Sequence, residues 1–344
     1  MIKFSEITND QQLWDFMTNP SEKLVESVGR LDGSIIILGG NGKMGKELIG
    51  LIRKADEING KSRGIFVVDI FFNKEDLALF ESLGVSTIQG DLTDEKFINS
   101  LPDVPLVTYM MGFKFGSSGD WRKAFHLNSI VPYLVGQKYH ASRIVVFSSG
   151  NPYPHTSRKG AGSVETDELN PVGIYGWNIV ARESSFKTTA LQNPDQKICL
   201  YRLMYAQHLN YGVLIDLANM VNKKEPISVA MPAVNLVSQR DANEVAIMAY
   251  EKCNNDPWII NIAGPIFPVR YIVEKFGELL QIEPQIIDEE PEDALLACDD
   301  LCINTFGSYR DQAEEMIKAA AHWLKIGGKS WGKPTYFGKV KHDY

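Results

Sequence analysis

Residues 34–45 read SIIILGGNGKMG, and this stretch decides the fold class of the chain. An apolar run typical of a buried strand leads into a glycine-rich loop, and a helical pattern follows at once. Gly39, Gly42 and Gly45 have the spacing G-x-x-G-x-x-G. In such a turn the first glycine permits the tight bend, the second lets the backbone approach a diphosphate, and the third lets helix and strand pack closely. With the free N–H groups of the helix N-terminus, this spacing predicts a dinucleotide-binding turn. The alternative is an ordinary glycine-rich turn.

An acidic residue follows at the separation that a ribose-binding carboxylate requires. Asp69 ends the segment GIFVVD, and such a residue is expected about 20 residues after the glycine loop. A carboxylate there accepts hydrogen bonds from the adenosine 2′-OH and repels a 2′-phosphate. Because apolar residues and no arginine follow Asp69, the sequence favours NAD over NADP. The alternative is a helix-capping or surface aspartate. A second acidic turn, Gly90-Asp91-Leu92, is expected to contact the adenine amino group.

The rest of the chain alternates strand-like and helical patterns, which is typical of a parallel sheet covered on both faces. Strand-like apolar runs lie at 34–38, 64–70, 85–89, 105–112, 143–149 and 197–205. Later helical patterns lie near 212–223, 241–253, 270–280, 292–300 and 309–326, with short strands such as PWIINIA between them. We predict an α/β fold with a Rossmann-type doubly wound parallel sheet and a smaller mixed α/β C-terminal substrate lobe. The predicted divisions are an N-terminal helical appendage at 1–32, an NAD-binding Rossmann domain at 33–205, a substrate lobe interleaved with the sheet at 206–330, and a tail at 331–344.

Composition and charge exclude several classes of protein. The 344 residues carry 35 basic and 43 acidic side chains, a formal net charge of −8. This argues against a nucleic-acid or anionic-membrane binder, since phosphate affinity needs an excess of Lys and Arg. No apolar run approaches the length of a transmembrane helix, and the N-terminus lacks the apolar core of a secretory signal, so the predicted location is cytoplasmic. The four cysteines are too scattered for a disulfide framework. Cys298 and Cys302 could share a helical face, but two thiolates alone make a poor zinc site, and no metal is predicted.

These motifs resemble those of extended short-chain dehydrogenase/reductases of the NAD-dependent epimerase/dehydratase type, over residues 33–326. The resemblance rests on GGNGKMG, VVD, GDL, Asn128, FSSGNPYP, Tyr175 in PVGIYGWN, Arg202, and Asp241 in SQRDANEVA. More narrowly, the chain resembles a subfamily with a GGKMG-type loop, a KFG-x-x-G segment after strand four, a GN-x-YP turn, a YGVL-D segment and a KPT-x-F tail. All five features occur in this sequence.

The resemblance implies a catalytic Ser–Tyr–Lys set. Ser149 matches the residue that polarises the substrate oxygen, and Tyr175 matches the residue that exchanges a proton with that oxygen. The lysine is expected four residues after the tyrosine, where this chain has Ile179. Lys114, in the loop after the fourth strand, is the candidate replacement, with a solvated loop lysine as the alternative. Arg182 lies two helical turns after Tyr175, which is too distant for direct replacement of the lysine.

Further residues are assigned to the cofactor and the substrate on the same basis. The implied cofactor-binding residues are Gly39, Gly42, Lys43, Met44, Gly45, Asp69, Asp91, Leu92, Met111, Gly112 and Asn128. The implied substrate-binding residues are Ser148, Asn151, His155, Arg202, Tyr205 and Arg240. Arginine suits bidentate capture of phosphate or carboxylate, although structural ion pairs are equally common. The alternative for His155 is a surface loop position.

These expectations define a leading hypothesis and an alternative of a different class. The leading hypothesis is an NAD-dependent oxidoreductase or epimerase that acts on a sugar, nucleotide sugar or polyol by hydride transfer at nicotinamide C4. Because Ile179 replaces the lysine, the alternative is a catalytically weak or inactive NAD-binding sensor or scaffold. The expected partner is a small-molecule substrate, with no nucleic acid and no membrane. The resemblance also implies a homodimer through the helices around 121–139 and 171–190.

Overall fold

A computed structural model describes residues 2–113, 119–333 and 335–337. Its helices are α1 Asp10–Met17, α2 Glu22–Arg30, α3 Gly45–Ile58, α4 Lys74–Ser82, α5 Glu95–Ser100, α6 Trp121–Phe125, α7 Val131–Lys138, α8 Gly173–Gln192, α9 Val213–Asn222, α10 Gln239–Met248, α11 Val269–Leu280, α12 Asp300–Phe306 and α13 Ala313–Lys325. Its strands are β1 Ile35–Leu38, β2 Ile65–Asp69, β3 Ser86–Gln89, β4 Leu106–Tyr109, β5 Arg143–Ser149, β6 Thr156–Ser157, β7 Lys197–Leu203, β8 Ala206–Gln207, β9 Pro226–Ser228, β10 Ala233–Asn235, β11 Val237–Ser238, β12 Trp258–Ile262, β13 Ile266–Pro268, β14 Gln285–Ile287 and β15 Asp293–Ala294. A π-helical turn, His126–Ile130, joins α6 to α7.

The central sheet has seven strands in the order β12-β7-β5-β4-β1-β2-β3, and every pair is parallel. The strand order reverses at β1, which pairs with β2 on one side and β4 on the other. Ligands of open α/β sheets bind outside the carboxyl ends of the strands at such a reversal point. The topology therefore locates the expected binding edge at Leu38, where β1 ends.

Two layers of helices cover the sheet, which explains its nearly continuous apolar strands. Ile35 and Ile37 pack into a cluster with the buried faces of α2, α3 and α10. Ile36 and Leu38 point to the opposite face, in a cluster that includes residues of α7 and α8. Since β1 is fully buried on both sides, only apolar residues suit it. The predicted doubly wound parallel sheet is confirmed.

Most predicted elements are confirmed, two differ in an informative way, and one is wrong. The segment PWIINIA, expected as a short strand between lobe helices, contributes β12, which pairs with β7 as the edge strand of the central sheet. The helical segment expected around 121–139 is interrupted by the π-helical turn around Asn128. Single π-turns inside helices occur frequently at functional sites.

The predicted helix at 292–300 is wrong. Residues of this segment are extended: β15 pairs with β6, and Ala297 bridges to Ser163. The physical reason is a period-two burial pattern, since Ala294 and Leu296 enter one apolar cluster while Leu295 and Ala297 enter another. The helix starts only at Asp300, so Cys298 and Cys302 do not share a helical face.

The helices predicted in the N-terminal segment 1–32 are confirmed as α1 and α2, with Pro20 between them. Both helices are integrated into the core. Leu24 and Val28 of α2 pack with the α3 face of the sheet, while Leu13 and Phe16 of α1 join an apolar cluster with α9, α11 and α13. The domain boundaries stay a prediction. None of the helices in the described ranges is long and apolar enough to cross a membrane.

Candidate functional site at the carboxyl edge of the sheet

The three loop glycines are required for different reasons. Gly39 has φ +80°, and a Cβ there would lie 2.9 Å from the Met111 backbone nitrogen. A Cβ on Gly45 would lie 2.1 Å from the Gly40 carbonyl oxygen. Gly42 differs, because a Cβ there would meet only the Gly39 oxygen, at 3.4 Å. The fold itself requires Gly39 and Gly45, whereas a side chain at Gly42, two residues before the N-cap of α3 at Met44, would meet open space. That space suits a diphosphate, since the first N–H groups of a helix have no acceptor within the helix.

The Asp69 carboxylate lies directly beside this loop. It ends β2 and accepts hydrogen bonds from the backbone N–H groups of Asn41 (3.0 Å) and Ile70 (2.8 Å). Burial raises the pKa of Asp69, and these hydrogen bonds oppose that rise. A carboxylate has further acceptor positions, so a ribose hydroxyl can still donate to it. The helix-capping alternative for Asp69 is wrong, because Asn73 caps α4.

The next predicted cofactor residues lie on the same edge. Asp91 is exposed, and its Oδ1 accepts the Thr93 N–H at 2.8 Å, while Leu92 is buried. Met111 and Gly112 directly follow β4, and the Met111 nitrogen packs against Gly39. Consequently the backbone after β4 touches the glycine loop.

The Asn128 side chain holds the backbone segment that follows β4. Its side chain donates to the Phe113 carbonyl at 2.8 Å and accepts the Phe113 N–H at 3.0 Å. It also accepts a hydrogen bond from Arg182 Nη2 at 2.6 Å. Asn128 is fully buried. The π-helical turn therefore positions an amide that orders the segment after β4.

Ser149 and Tyr175 meet at the same edge. Ser149 is the last residue of β5, and its hydroxyl donates to Asn151 Oδ1 at 2.8 Å. Tyr175 lies in the first turn of α8 and is almost fully buried. Burial raises the pKa of Tyr175, whereas the Arg182 guanidinium and a hydrogen bond with Ser149 lower it. The structure thus brings the predicted Ser–Tyr pair together with Asn151. Ile179 is fully buried, and Lys114 lies outside the described residues.

Comparisons with known proteins bear on the fold. No family model matches the sequence, and no curated protein matches it. Solved structures do match. MoeE5 in complex with UDP-glucose and NAD is 16% identical, covers 86% of this chain and 99% of its own, and superposes with a TM-score of 0.69. A UDP-glucose 4-epimerase from Thermotoga maritima is 17% identical with the same two coverages and a TM-score of 0.69. A short-chain dehydrogenase/reductase superfamily protein from Agrobacterium tumefaciens with bound NAD is 15% identical, covers 85% of this chain and 97% of its own, and has a TM-score of 0.68.

The chain has the fold of the extended short-chain dehydrogenase/reductases. At these identities the likeness establishes the fold alone. The glycine loop, Asp69 and the Ser149–Tyr175 pair are features of this chain's own structure.

Two of the predicted substrate residues, Ser148 and Arg202, lie in a buried ion-pair network. Arg202 pairs with Glu183 at 2.7 Å, and both side chains are about 2% exposed. Ser148 donates to Glu183 Oε1 at 2.6 Å, and Arg202 also donates to the Tyr153 hydroxyl at 2.7 Å. Since these contacts occupy the polar groups, we propose a structural role for Ser148 and Arg202 in place of substrate binding.

Glu183→Gln is expected to destabilise the protein by about 3–5 kcal/mol, because it leaves the buried Arg202 charge without its carboxylate. Equilibrium denaturation with urea measures the effect. The matched control is Glu278→Gln, which breaks a surface pair with Lys275 whose glutamate side chain is 67% exposed. It should leave the unfolding midpoint nearly unchanged. Equal midpoints for the two variants would contradict the structural role of the Arg202 pair.

The remaining predicted substrate residues are spread over different surroundings. Arg240 is buried, pairs with Asp311 and lies 3.8 Å from the centre of the Phe16 ring, so it links α10 to α1. Tyr205 is half-buried and packs edge-on against Phe337 at 5.5 Å. His155 is half-buried, and its pKa is lowered by burial. Arg240 thus lies away from Ser149, in a contact that holds the N-terminal helix.

Lys43 and Met44 complete the predicted cofactor set. The Lys43 ammonium lies 3.5 Å from the centre of the Tyr211 ring, and burial together with Lys333 lowers its pKa to about 8. Met44 precedes α3, and its carbonyl accepts a hydrogen bond from Asn243. Lys43 also borders a cavity of about 800 Å³ that is lined by residues of α1, the glycine loop and the 329–333 segment. Neither Ser149 nor Tyr175 lines this cavity, so it is separate from the proposed catalytic pair.

The sequence placed Arg182 two turns after Tyr175 and set it aside as too distant to replace the lysine, but it did not predict the contacts of Arg182 with Phe147 and Asn128. Tyr175, Ile179 and Arg182 have the spacing i, i+4, i+7, which places all three on one face of α8. Phe186 continues that face and is fully buried. A charged residue in an otherwise apolar stripe was the signal that Arg182 is buried against the site.

Proposed function

We propose that this chain binds NAD and transfers hydride between the cofactor and a sugar carbon, as in an epimerase or dehydrogenase of nucleotide sugars. The observation that carries the proposal is the placement of Ser149, at the end of β5, beside Tyr175, in the first turn of α8, on the sheet edge that also holds the glycine loop. The diphosphate space beside Gly42 and the carboxylate of Asp69 support a dinucleotide at the other end of that edge.

The residues of the chain divide the chemistry between them. NAD, when bound, supplies the nicotinamide C4 that takes or returns hydride. The Ser149 hydroxyl donates to Asn151 Oδ1 and would turn its one proton to the substrate oxygen when substrate binds, while the Asn151 N–H donates to the Ser149 oxygen and holds it in place. Tyr175 exchanges a proton with the same oxygen: it accepts the proton when the substrate alcohol is oxidised and returns it when the carbonyl is reduced. Burial of Tyr175 keeps bulk water away from this exchange.

The proposed substrate class is a nucleoside diphosphate sugar. MoeE5 is described in complex with UDP-glucose, and the Thermotoga maritima and Campylobacter jejuni neighbours are named as epimerases of UDP-sugars. These names belong to those proteins, and they guide the choice of substrates for a test.

The test combines cofactor analysis with a substrate panel. Protein denatured after purification is analysed by mass spectrometry for released NAD, and the native protein is incubated with UDP-hexoses and UDP-hexuronic acids. We expect NAD to bind at least about tenfold more tightly than NADP, since Asp69 opposes a 2′-phosphate. We also expect epimerised or oxidised sugar from at least one member of the panel. Equal affinity for the two cofactors, with no product from any sugar, would contradict the proposal.

A second function is favoured by one specific observation, the complete burial of Ile179 at the position expected for lysine. It is an NAD-binding protein without turnover, which acts as a sensor or scaffold. This alternative predicts that the protein binds NAD but forms no sugar product. Any residual rate of sugar conversion should then be the same in the wild-type protein and in Tyr175→Phe.

We further propose a homodimer through α6, the π-helical turn and α8. Trp121, Phe125 and Trp177 expose 57%, 46% and 59% of their surface there. Such a concentration of large apolar side chains on neighbouring elements marks an interaction surface.

Trp177→Glu is expected to convert a dimer into a monomer, because it places a charge in an apolar interface. Analytical ultracentrifugation measures the mass. Ile58→Glu is the control, since Ile58 is 65% exposed at the end of α3, outside the proposed interface. A wild-type protein that sediments as a monomer at micromolar concentration would contradict this surface assignment.

A further inference from the structure

Four arginines are buried in the described part of the chain, and three of them are each paired with a carboxylate. The pairs are Arg63–Asp56, Arg202–Glu183 and Arg240–Asp311. Arg182 is the fourth. It is 3% exposed, and no carboxylate of a described residue lies within ion-pair distance of it. A buried charge is costly unless it is compensated. The position of Arg182 therefore calls for negative charge from a group that becomes ionised or bound during function.

The Arg182 guanidinium is held in a defined position. Nη1 donates to the Phe147 carbonyl at 2.9 Å, and Nη2 donates to Asn128 Oδ1 at 2.6 Å. A Cβ on Gly112 would lie 2.8 Å from Nη2, so the segment after β4 passes directly over the group. Nε is buried and has no hydrogen-bond partner among the described residues. The charge is thus fixed under the ends of β4 and β5, where Ser149 lies.

Helix geometry directs this charge toward Tyr175. Tyr175 and Arg182 lie on one face of α8, and because helix side chains tilt toward the N-terminus, the Arg182 side chain extends in the direction of Tyr175. The Arg182 guanidinium opposes the effect of burial on the pKa of Tyr175, and it also faces the fully buried Tyr109 of β4, whose ring centre lies 5.8 Å from it. Glu183, the next residue on the helix, is turned away and pairs with Arg202.

We propose that Arg182 is a positioning residue that holds a fixed positive charge against the Tyr175 oxygen, in place of the lysine that is absent at Ile179. The Tyr175 phenolate is then the anionic partner that the buried guanidinium lacks. The inference deepens the proposed function and rests on it, since ionisation of Tyr175 matters only if Tyr175 exchanges a proton with the substrate.

The size of the effect follows from electrostatics. In general, a unit charge at a separation of about 6 Å, at an effective dielectric constant of about 20, lowers the pKa of a phenol by about 2. At a pH below that pKa, this raises the phenolate fraction about 100-fold.

The test measures ionisation of Tyr175 without any substrate. 3-Fluorotyrosine is placed at position 175 by site-specific incorporation, and its pKa is followed by fluorine NMR in the full chain. The fluorinated phenol ionises at lower pH, which keeps the titration within the range where the protein stays folded. The compared variants are Arg182→Met, Arg182→Lys, Arg182→Met with Ile179→Lys, and Lys187→Met as the control on the exposed face of the same helix.

We expect the pKa of residue 175 to rise by about 2 in Arg182→Met and to return toward the wild-type value in the two variants that restore a cation. Lys187→Met should titrate like wild type. A purely structural arginine would change the thermal midpoint and leave the pKa unchanged, and that result would overturn the proposal. If Arg182→Met does not fold, Arg182→Gln is the second uncharged variant. A raised pKa of residue 175 in that variant supports the proposal, and an unchanged pKa overturns it.

The proposed function and the role of Arg182 can be contradicted independently. Because the titration needs neither NAD nor a sugar, a protein that shows the Arg182 effect but binds no NAD contradicts the proposed function and leaves the electrostatic coupling in place. If the protein binds NAD and forms a sugar product, but the pKa of residue 175 is unchanged in Arg182→Met, the inference is contradicted and the proposed function stays in place.

Discussion

Gly42→Val is expected to lower the affinity for NAD by about 100-fold or more while leaving the protein folded. A Cβ at Gly42 meets no protein atom closer than 3.4 Å, so the fold tolerates a side chain there. The same side chain would fill the space in which we place the diphosphate, against the first N–H groups of α3. Isothermal titration calorimetry measures the affinity, and thermal denaturation checks the fold.

Gly45→Ala is the matched variant for this prediction. Its Cβ would lie 2.1 Å from a backbone oxygen, so we expect a marked loss of thermal stability together with any loss of binding. The pair separates a glycine that a ligand requires from one that the fold requires. If Gly42→Val bound NAD as tightly as the wild-type protein, the diphosphate would have to be placed elsewhere.

Tyr175→Phe is expected to reduce turnover by about 100- to 10,000-fold, the usual contribution of a positioned proton donor or acceptor. The substitution removes one oxygen from an almost fully buried site, so affinity for NAD should be retained. The measurement is the rate of sugar epimerisation or oxidation with the substrate found in the panel, at saturating NAD.

Ser149→Ala supplies the control for this prediction. Because Ser149 and Tyr175 act on one substrate oxygen, the double variant should be little slower than Tyr175→Phe alone. Additive losses would show that the two residues do not act together. A wild-type rate for Tyr175→Phe would remove Tyr175 from the mechanism and favour the sensor alternative.

The direction of the pH dependence follows from the state of Tyr175. Since burial holds its pKa above the ordinary value, the phenol is protonated at neutral pH. Oxidation of an alcohol needs the phenolate, so its rate should rise by about tenfold for each pH unit below the pKa. Reduction uses the protonated phenol and should change little over the same range.

The sequence predicted the fold because its signals are local. The run at 34–38 is apolar at every strand position, and the glycine spacing that follows is required by close backbone contacts at Gly39 and Gly45. Burial of β1 on both faces leaves few alternatives to a parallel sheet. The prediction of a helix at 292–300 was wrong because the signal there is not local: the period-two burial of this segment depends on partners from distant parts of the chain.

The candidate site was predictable only in part. Asp69, Ser149 and Tyr175 end strands or start a helix at one sheet edge, and their position along the chain is enough to bring them together. Arg202 and Arg240 carry the same guanidinium that a phosphate site would use, yet buried carboxylates occupy both. Which partner an arginine meets depends on tertiary packing, and the residue type alone does not contain that information. For Arg182, the sequence shows its position on the same helical face as Tyr175 and Ile179. The sequence does not show that Arg182 lacks a carboxylate partner among the described residues.

Titration of NAD⁺ into the full chain, after bound nucleotide has been removed, tests the central claim most directly. The account predicts one saturable site per chain, with a dissociation constant of about 10 μM or tighter, that weakens in Gly42→Val. No detectable binding of either NAD⁺ or NADH at millimolar concentration would contradict it.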